Sequence, residues 1–260
     1  MSLTPISRHR LLDLADLTQA ASLSPSELTD NVASFRIRPL NWATISIHNV
    51  FRFDDDVQVV AFNYGNDLVV AFHCETAPDQ IDLRREPFAE AGGADDAPKV
   101  AAGVLRQWRL IAAPISYCID SWLRAHALGN VYVTGHGVGA GLATLQAMFL
   151  NCPERIVHVT FGAMRAYSSK FRAEFGVRVG TSVRVVNGAD DVPTMAIWNG
   201  TWPSRLHQVG DIMWFVDGKV DMQYLHKSKQ MTSGRFTRDD HEMSKYLDVI
   251  QTWAEPQVRS

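Results

Sequence analysis

The chain has 260 residues, 46% of them hydrophobic, 10% aromatic and 20% charged, which is enough apolar side chain for a sizeable core in one domain spanning 1–260. Lys plus Arg number 25 against 28 for Asp plus Glu, and a net charge of -3 offers a polyanion no attraction, so nucleic-acid binding is not expected. No run approaches the roughly 18 apolar residues of a transmembrane helix. Cys74, Cys118 and Cys152 are too few and odd in number for a disulfide framework and too widely spaced for a zinc motif. His207, Asp211 and His241 lack a ligand spacing, so neither metal nor cofactor is expected. Arg8, Arg10, Asp13 and Asp16 interrupt the first leucines, unlike the apolar stretch of a signal peptide. With the unpaired cysteines, this points to a cytoplasmic or other intracellular setting.

Leu11, Leu12, Leu14, Ala15 and Leu17 recur at helical spacing, and Ser24-Pro25-Ser26-Glu27 starts a second helix, so residues 1–40 read as a helical segment. From Ala43 the pattern turns to strands: Thr44–Ile47, then Val57–Phe62 and Leu68–Phe72 around Asn63-Tyr64-Gly65-Asn66-Asp67, an antiparallel hairpin. The polar stretch 78–98, with Ala-Gly-Gly-Ala-Asp-Asp at 91–96, reads as a mobile surface segment and a candidate lid. Val100–Ala127 is helical in pattern, with Pro114 expected to kink or divide it. Strand and helix then alternate: Val131–Thr134, Ala140–Phe149, Ile156–Thr160, Ser168–Glu174, Val183–Val186. This order predicts parallel strands with crossover helices. Ile212–Val216 and Val220–Tyr224 flank Asp217-Gly218-Lys219 as a second hairpin, and Asp240–Trp253 reads as a closing helix.

Between strand 131–134 and the next helix stands Gly135-His136-Gly137-Val138-Gly139-Ala140-Gly141. Gly135-x-Gly137-x-x-Ala140 fits a dinucleotide fingerprint, but the next strand runs into Phe161-Gly162 and not into an acid for the ribose. The same residues fit a nucleophile elbow, G-x-S-x-G, with glycine at the serine position. Plain close packing of helix on strand is a third reading, and the loop by itself leaves all three open.

The rest of the chain carries a resemblance. Thr134–Ala143 is similar to T-G-H-S-L-G-G-A-L-A, Val69–His73 to V-V-A-F-R and Val159–Arg165 to Y-T-F-G-x-P-R. Val183–Asn187 followed by Asp190-Asp191-Val192-Pro193 is similar to R-V-V-N-x-x-D-x-V-P. Gln208-Val209-Gly210 with Trp214 resembles H-x-G-x-x-x-W, and His241 with Met243, Tyr246 and Leu247 resembles H-x-M-x-x-Y-L. These segments, in this order, resemble the class 3, fungal-type triacylglycerol lipase family. The resemblance implies an α/β-hydrolase fold: a mostly parallel central sheet, helices on both faces and antiparallel hairpins at its edges.

In that family a Ser, Asp, His triad occurs in chain order, which puts Gly137 at the nucleophile, Asp190 at the acid and His241 at the base. The D-x-V-P register favours Asp190 over Asp191. The oxyanion position falls on Val138 N–H with Cys74 and Glu75, where the family has Gly-Thr; a one-residue slip would put Thr76 there. An ionised Glu75 would oppose developing negative charge. His136 and His207 read as structural. Ala101, Val104 and Met164 replace a family His, Phe and Pro.

Two functional readings follow. One is a pseudoenzyme that binds a lipid or acyl ester, or a protein partner or assembly, with Trp198 and Trp202 near the pocket mouth. The other is a carboxylic ester hydrolase in which the serine has been exchanged for glycine.

Overall fold

The strands are β1 (Ile45–Phe53), β2 (Val57–Tyr64), β3 (Asp67–Cys74), β4 (Arg85–Pro87), β5 (Lys99–Ala101), β6 (Val131–His136), β7 (Ile156–Phe161), β8 (Thr181–Asn187), β9 (Asp211–Val216) and β10 (Lys219–Asp221), the longer ones where apolar residues alternate or run together. Helices are α1 (Arg8–Ala20), α2 (Pro25–Ser34), α3 (Ala102–Ala125), α4 (Gly137–Phe149), α5 (Ser169–Arg178) and α6 (Met243–Thr252). They belong to a computed structural model that describes residues 6–34, 45–53, 56–77, 80–82, 84–87, 97–188, 190–193, 206–216, 219–221 and 239–253.

Eight strands make one sheet in the order β1-β2-β3-β6-β7-β8-β9-β10. The pairs β3–β6, β6–β7, β7–β8 and β8–β9 are parallel. The β1–β2, β2–β3 and β9–β10 pairs at the two edges are antiparallel. This is the α/β-hydrolase architecture, with the antiparallel hairpins where the sequence puts them.

Both faces are covered, and the period of two divides each strand between two cores. Val57, Val59 and Ala61 of β2 with Leu68, Val70 and Phe72 of β3 pack on one side against Leu105 of α3, Leu142 of α4 and Phe171 of α5. Val60, Phe62, Val69 and Ala71 pack on the other side with Leu11 and Leu14 of α1, Leu28 of α2 and Ile250 of α6. The charges that interrupt the first leucines hold α1 to the sheet. Tyr64 donates its hydroxyl to Asp13, and the Arg10 guanidinium lies 3.2 Å from Asp67 and 4.3 Å over the Tyr64 ring.

Two expectations change. The first strand extends to Phe53 through His48, Asn49 and Arg52, because an edge strand with one open side accommodates polar residues. Pro114 neither divides nor ends α3, which runs unbroken from Ala102 to Ala125. The carbonyl that Pro114 leaves without an N–H partner belongs to Leu110, a residue 57% exposed, on a side of the helix where solvent can serve it. Within stretch 78–98, Ile81 is buried, Asp82 accepts the Gly103 N–H at 2.9 Å, and β4 pairs with β5. Residues 88–96 of that stretch lie outside the described residues, as do 222–224 of the second hairpin.

Candidate active site

The parallel strands point their carboxyl ends to one edge of the sheet, the usual place for a site in an α/β fold. Cys74 ends β3 there and Glu75 follows it, Gly137 follows β6, Gly162 follows β7 and Asp190 follows β8. His241 closes a 3-10 turn, Asp239–His241, just before α6. The Asn187 side chain at the end of β8 donates to the Asp240 carbonyl at 3.1 Å and pins that turn to the sheet.

Strand β6 passes into α4 with no spacer, and Gly137 at the junction has a φ of +55°. A side chain at such a φ costs about 1–2 kcal/mol; glycine adopts it freely. Close packing explains the flanking glycines. A Cβ on Gly135 would lie 2.4 Å from the Gly139 carbonyl oxygen, and one on Gly139 would lie 2.3 Å from that of Phe72. Gly137 differs. A Cβ there would press on His241, at 3.0 Å from Nε2 and 3.4 Å from Cε1, a tight contact with a side chain distant in sequence.

His241 is oriented from behind. Its Nδ1 lies 2.9 Å from Asp190 Oδ2 and 3.1 Å from Oδ1, and its side chain is 13% exposed. Asp190 is fully buried. Its Oδ1 also accepts the Val192 N–H at 2.9 Å, and Tyr246 donates its hydroxyl to Oδ2. Burial and the Asp190 charge push the Tyr246 hydroxyl well above the usual tyrosine range, which keeps it a donor. The approach at Gly162 is equally tight: a Cβ there would fall 2.8 Å from Asp190 Oδ2 and 2.9 Å from His241 Nδ1.

His136 lies against the other side of the imidazole. Its ring stacks on that of His241 at 4.2 Å and meets Tyr246 edge-on at 5.7 Å. Burial first, and the neighbouring His241 second, hold His136 well below the ordinary histidine range, so it is a neutral aromatic plate. His207 is elsewhere, exchanging backbone hydrogen bonds with Tyr167.

The residues after β3 make their own contacts. Glu75 accepts from His73 Nε2 at 2.9 Å with its side chain 64% exposed. Cys74 Sγ donates to Gln107 Oε1 at 3.5 Å, and Gln107 Nε2 donates to Thr76 Oγ1 at 3.0 Å. Burial raises the Cys74 pKa, so it is a thiol and not a thiolate nucleophile. Thr134, the hydroxyl nearest the turn in sequence, is buried in β6 and shares a 2.8 Å hydrogen bond with Thr18 of α1.

The structure therefore joins Asp190 to His241, excludes Asp191 from that contact, and brings Gly137 beneath Nε2. Gln208, where the family motif has His, is a tie: its Nε2 donates to the Ala163 and Pro193 carbonyls and its Oε1 accepts from Arg184. Trp198 and Trp202 lie outside the described residues. Sequence reasoning missed the part played by Tyr246, whose signal was a tyrosine on the inner face of α6, where a buried hydroxyl must find an acceptor.

This is an α/β-hydrolase with a buried Asp–His pair facing a glycine at the strand-to-helix turn. A family model described as Lipase (class 3) matches residues 66–200, more than half of the chain, and the chain belongs to that family. No curated protein matches it. Among solved structures it is similar to a triacylglyceride lipase of Rhizomucor miehei, with 15% identity, a TM-score of 0.69 and coverage of 91% of this chain and 94% of that one. Lipase II from Rhizopus niveus aligns at 15% identity and a TM-score of 0.66, covering 91% and 94%. A lipase from Rhizopus microsporus var. chinensis aligns at 17% and 0.62, covering 82% and 76%.

Proposed function

We propose that this chain is a class 3 lipase-fold pseudoenzyme. It keeps the acid and base of an acyl-transfer site, Asp190 and His241, and has Gly137 where the nucleophile serine would stand. It binds a lipid or acyl ester, or a protein partner, without forming an acyl-enzyme at position 137. One observation carries the reading: a side chain at 137 would point at Nε2 of a histidine whose Nδ1 is 2.9 Å from a buried carboxylate. In acyl transfer that histidine takes the nucleophile's proton while the Asp fixes its tautomer and stabilises the imidazolium. The Val138 N–H, at the start of a helix that no side chain caps, supplies one oxyanion donor, with the Cys74–Glu75 backbone beside it.

The completeness of the Asp190–His241–Tyr246 arrangement also favours a second reading, an ester hydrolase whose serine has been exchanged for glycine in this chain. One assay tests both: hydrolysis of p-nitrophenyl butyrate and palmitate by this chain, by Gly137→Ser and by Gly137→Ser/His241→Ala. Turnover by the single variant alone supports the site assignment. A burst of about one equivalent from the unaltered chain would overturn it, since the acyl group must then reside on another residue.

A further inference from the structure

The geometry points to a second copy of this chain as the occupant of the apolar strip formed by α3 and the outer edge of β1, in a two-fold dimer whose two α3 helices run antiparallel. The contact does not depend on what stands at position 137. Leu110–Ile119 carry no charge, although one face of α3 lies at the surface. Leu110 is 57% exposed, Tyr117 is 73% exposed, and Ala113 between them is exposed too. At about 100° per residue these three fall within about 60° of one another and form a single stripe. An apolar stripe of this kind marks a contact surface. Beside it a groove of about 510 Å³ separates α3 from β1, with Phe51 on one wall and Pro114 and Cys118 on the other. β1 ends the eight-stranded sheet, and its outer edge meets no strand among the described residues. The bulge after Ile47, where Asn49 Oδ1 accepts the Val50 N–H at 2.9 Å, interrupts that edge, so side chains at the groove and not a long backbone ladder form the contact.

The strip is complementary to itself. In an antiparallel pair of identical helices, residues i and j face each other wherever their numbers add to one constant, and the two-fold axis makes every such contact twice. Leu110 with Tyr117, Ala113 with Pro114, and Arg106 with Asp120 share that constant to within one residue. A crossing at Ala113 and Pro114 therefore seats Tyr117 of each copy on Leu110 of the other, and the small central side chains let the helices approach to about 8–10 Å. It also brings the Tyr117 hydroxyl beside the Leu110 carbonyl that Pro114 leaves without an intrahelical donor. Arg106 has a 54% exposed side chain, 3.2 Å from Asp82, and meets the exposed Asp120 of the other copy at the rim, so opposite charges face each other on both sides of the axis. The α3 face from Arg106 to Asp120 is about 22 Å long and the nine-residue β1 edge about 30 Å. At about 10 Å of width each they cover about 500 Å² per copy, about 1,000 Å² in total, which is the threshold of a specific interface and the size of a weak dimer.

Sedimentation equilibrium of the full chain from about 1 to 200 μM, the range in which an interface of this size associates, is the experiment. The expected result is a weight-average mass that climbs from monomer to dimer and stops there, because a two-fold contact closes on itself. Tyr117→Lys should weaken association at least about tenfold, as the loss of a central aromatic does. Arg106→Glu and Asp120→Lys should each weaken it about three- to tenfold, and combining the two should recover most of that loss, since the opposite signs then meet again. Ala113→Cys should give a disulfide-linked dimer on mild oxidation, because the axis passes beside that residue, and Arg124→Cys should not; this pair of variants leaves the apolar stripe and the rim charges in place. A monomer at every concentration would overturn the dimer. So would association that folded Tyr117→Lys leaves unchanged, or one that grows past two copies. A monomer that binds phosphatidylcholine vesicles, and ceases to in Tyr117→Lys, would give the strip to a lipid surface and overturn the second copy as its occupant. None of these results bears on hydrolysis by Gly137→Ser, so the site reading and the dimer fail separately.

Discussion

The two halves of the candidate site are built to different standards. On the β8–α6 side, Asp190 is fully buried, receives the Val192 N–H and the Tyr246 hydroxyl, and holds His241 Nδ1 at 2.9 Å. On the β3–α4 side a glycine stands at the turn, and a carboxylate, Glu75, follows the strand and pairs with His73. Buried polar groups are expensive to leave unpaired, so an acid–base pair of this kind resists piecemeal loss. An exposed loop and a glycine carry no such penalty, and chemistry can be removed from that side without disturbing the core. On the proposed reading, a glycine in place of a nucleophile leaves the fold intact because that side chain would contribute little to it.

This asymmetry can be tested in descending order of effect. In the Gly137→Ser background, Asp190→Asn should lower kcat by about 10⁴-fold by presenting the wrong histidine tautomer, measured on p-nitrophenyl butyrate. A loss of less than tenfold would mean that the furnished half is only structural. On the other side, Glu75→Thr in the same background should raise kcat by about 10²–10³-fold, the weight of one oxyanion donor. An unchanged kcat there would show that the carboxylate held by His73 does not reach the developing charge.

Two smaller effects concern the scaffold. Tyr246→Phe leaves a buried carboxylate short of one donor and should cost about 1.5–3 kcal/mol in chemical denaturation. His158 lies beneath both halves: its Nε2 shares a hydrogen bond with Thr144 of α4 at 3.1 Å and its Nδ1 with Ser182 of β8 at 2.8 Å. Burial pushes its pKa from 6.5 down to about 3, so the fold keeps it neutral. A depressed folded pKa means that the unfolded chain takes up the proton first. This contribution is complete above pH 6.5 and declines as pH falls towards 3, with a slope of at most about 1.4 kcal/mol per pH unit. Denaturation at pH 7 and pH 4.5 should show that decline in the unaltered chain and less of it in His158→Gln.

Much of this was legible in the residues. The β2–β3 hairpin followed from two β-rich runs around 63–67, and the strand-to-helix turn from the glycines at 135–141. The D-x-V-P register singled out Asp190, and it is Asp190 whose carboxylate lies 2.9 Å from His241 Nδ1. What stayed hidden depends on neighbours distant in sequence. Pro114 is tolerated because Leu110 faces solvent, which no local pattern reveals. β4 and β5 are three residues each, too short for periodicity, and exist through their mutual pairing. Tyr246 acts on Asp190 across 56 residues, and His136 reads as part of a turn until the fold sets it against His241.

The central claim is that the acid–base half is intact and only the nucleophile is absent. Intact mass spectrometry after exposure to a p-nitrophenyl alkylphosphonate tests it most directly, because such a reagent marks a hydroxyl only where a working base and oxyanion site activate it. The account predicts no adduct on this chain, one phosphonyl group on Gly137→Ser, and none on Gly137→Ser/His241→Ala. A folded Gly137→Ser protein that stays unmodified, or an adduct on the unaltered chain, would contradict it.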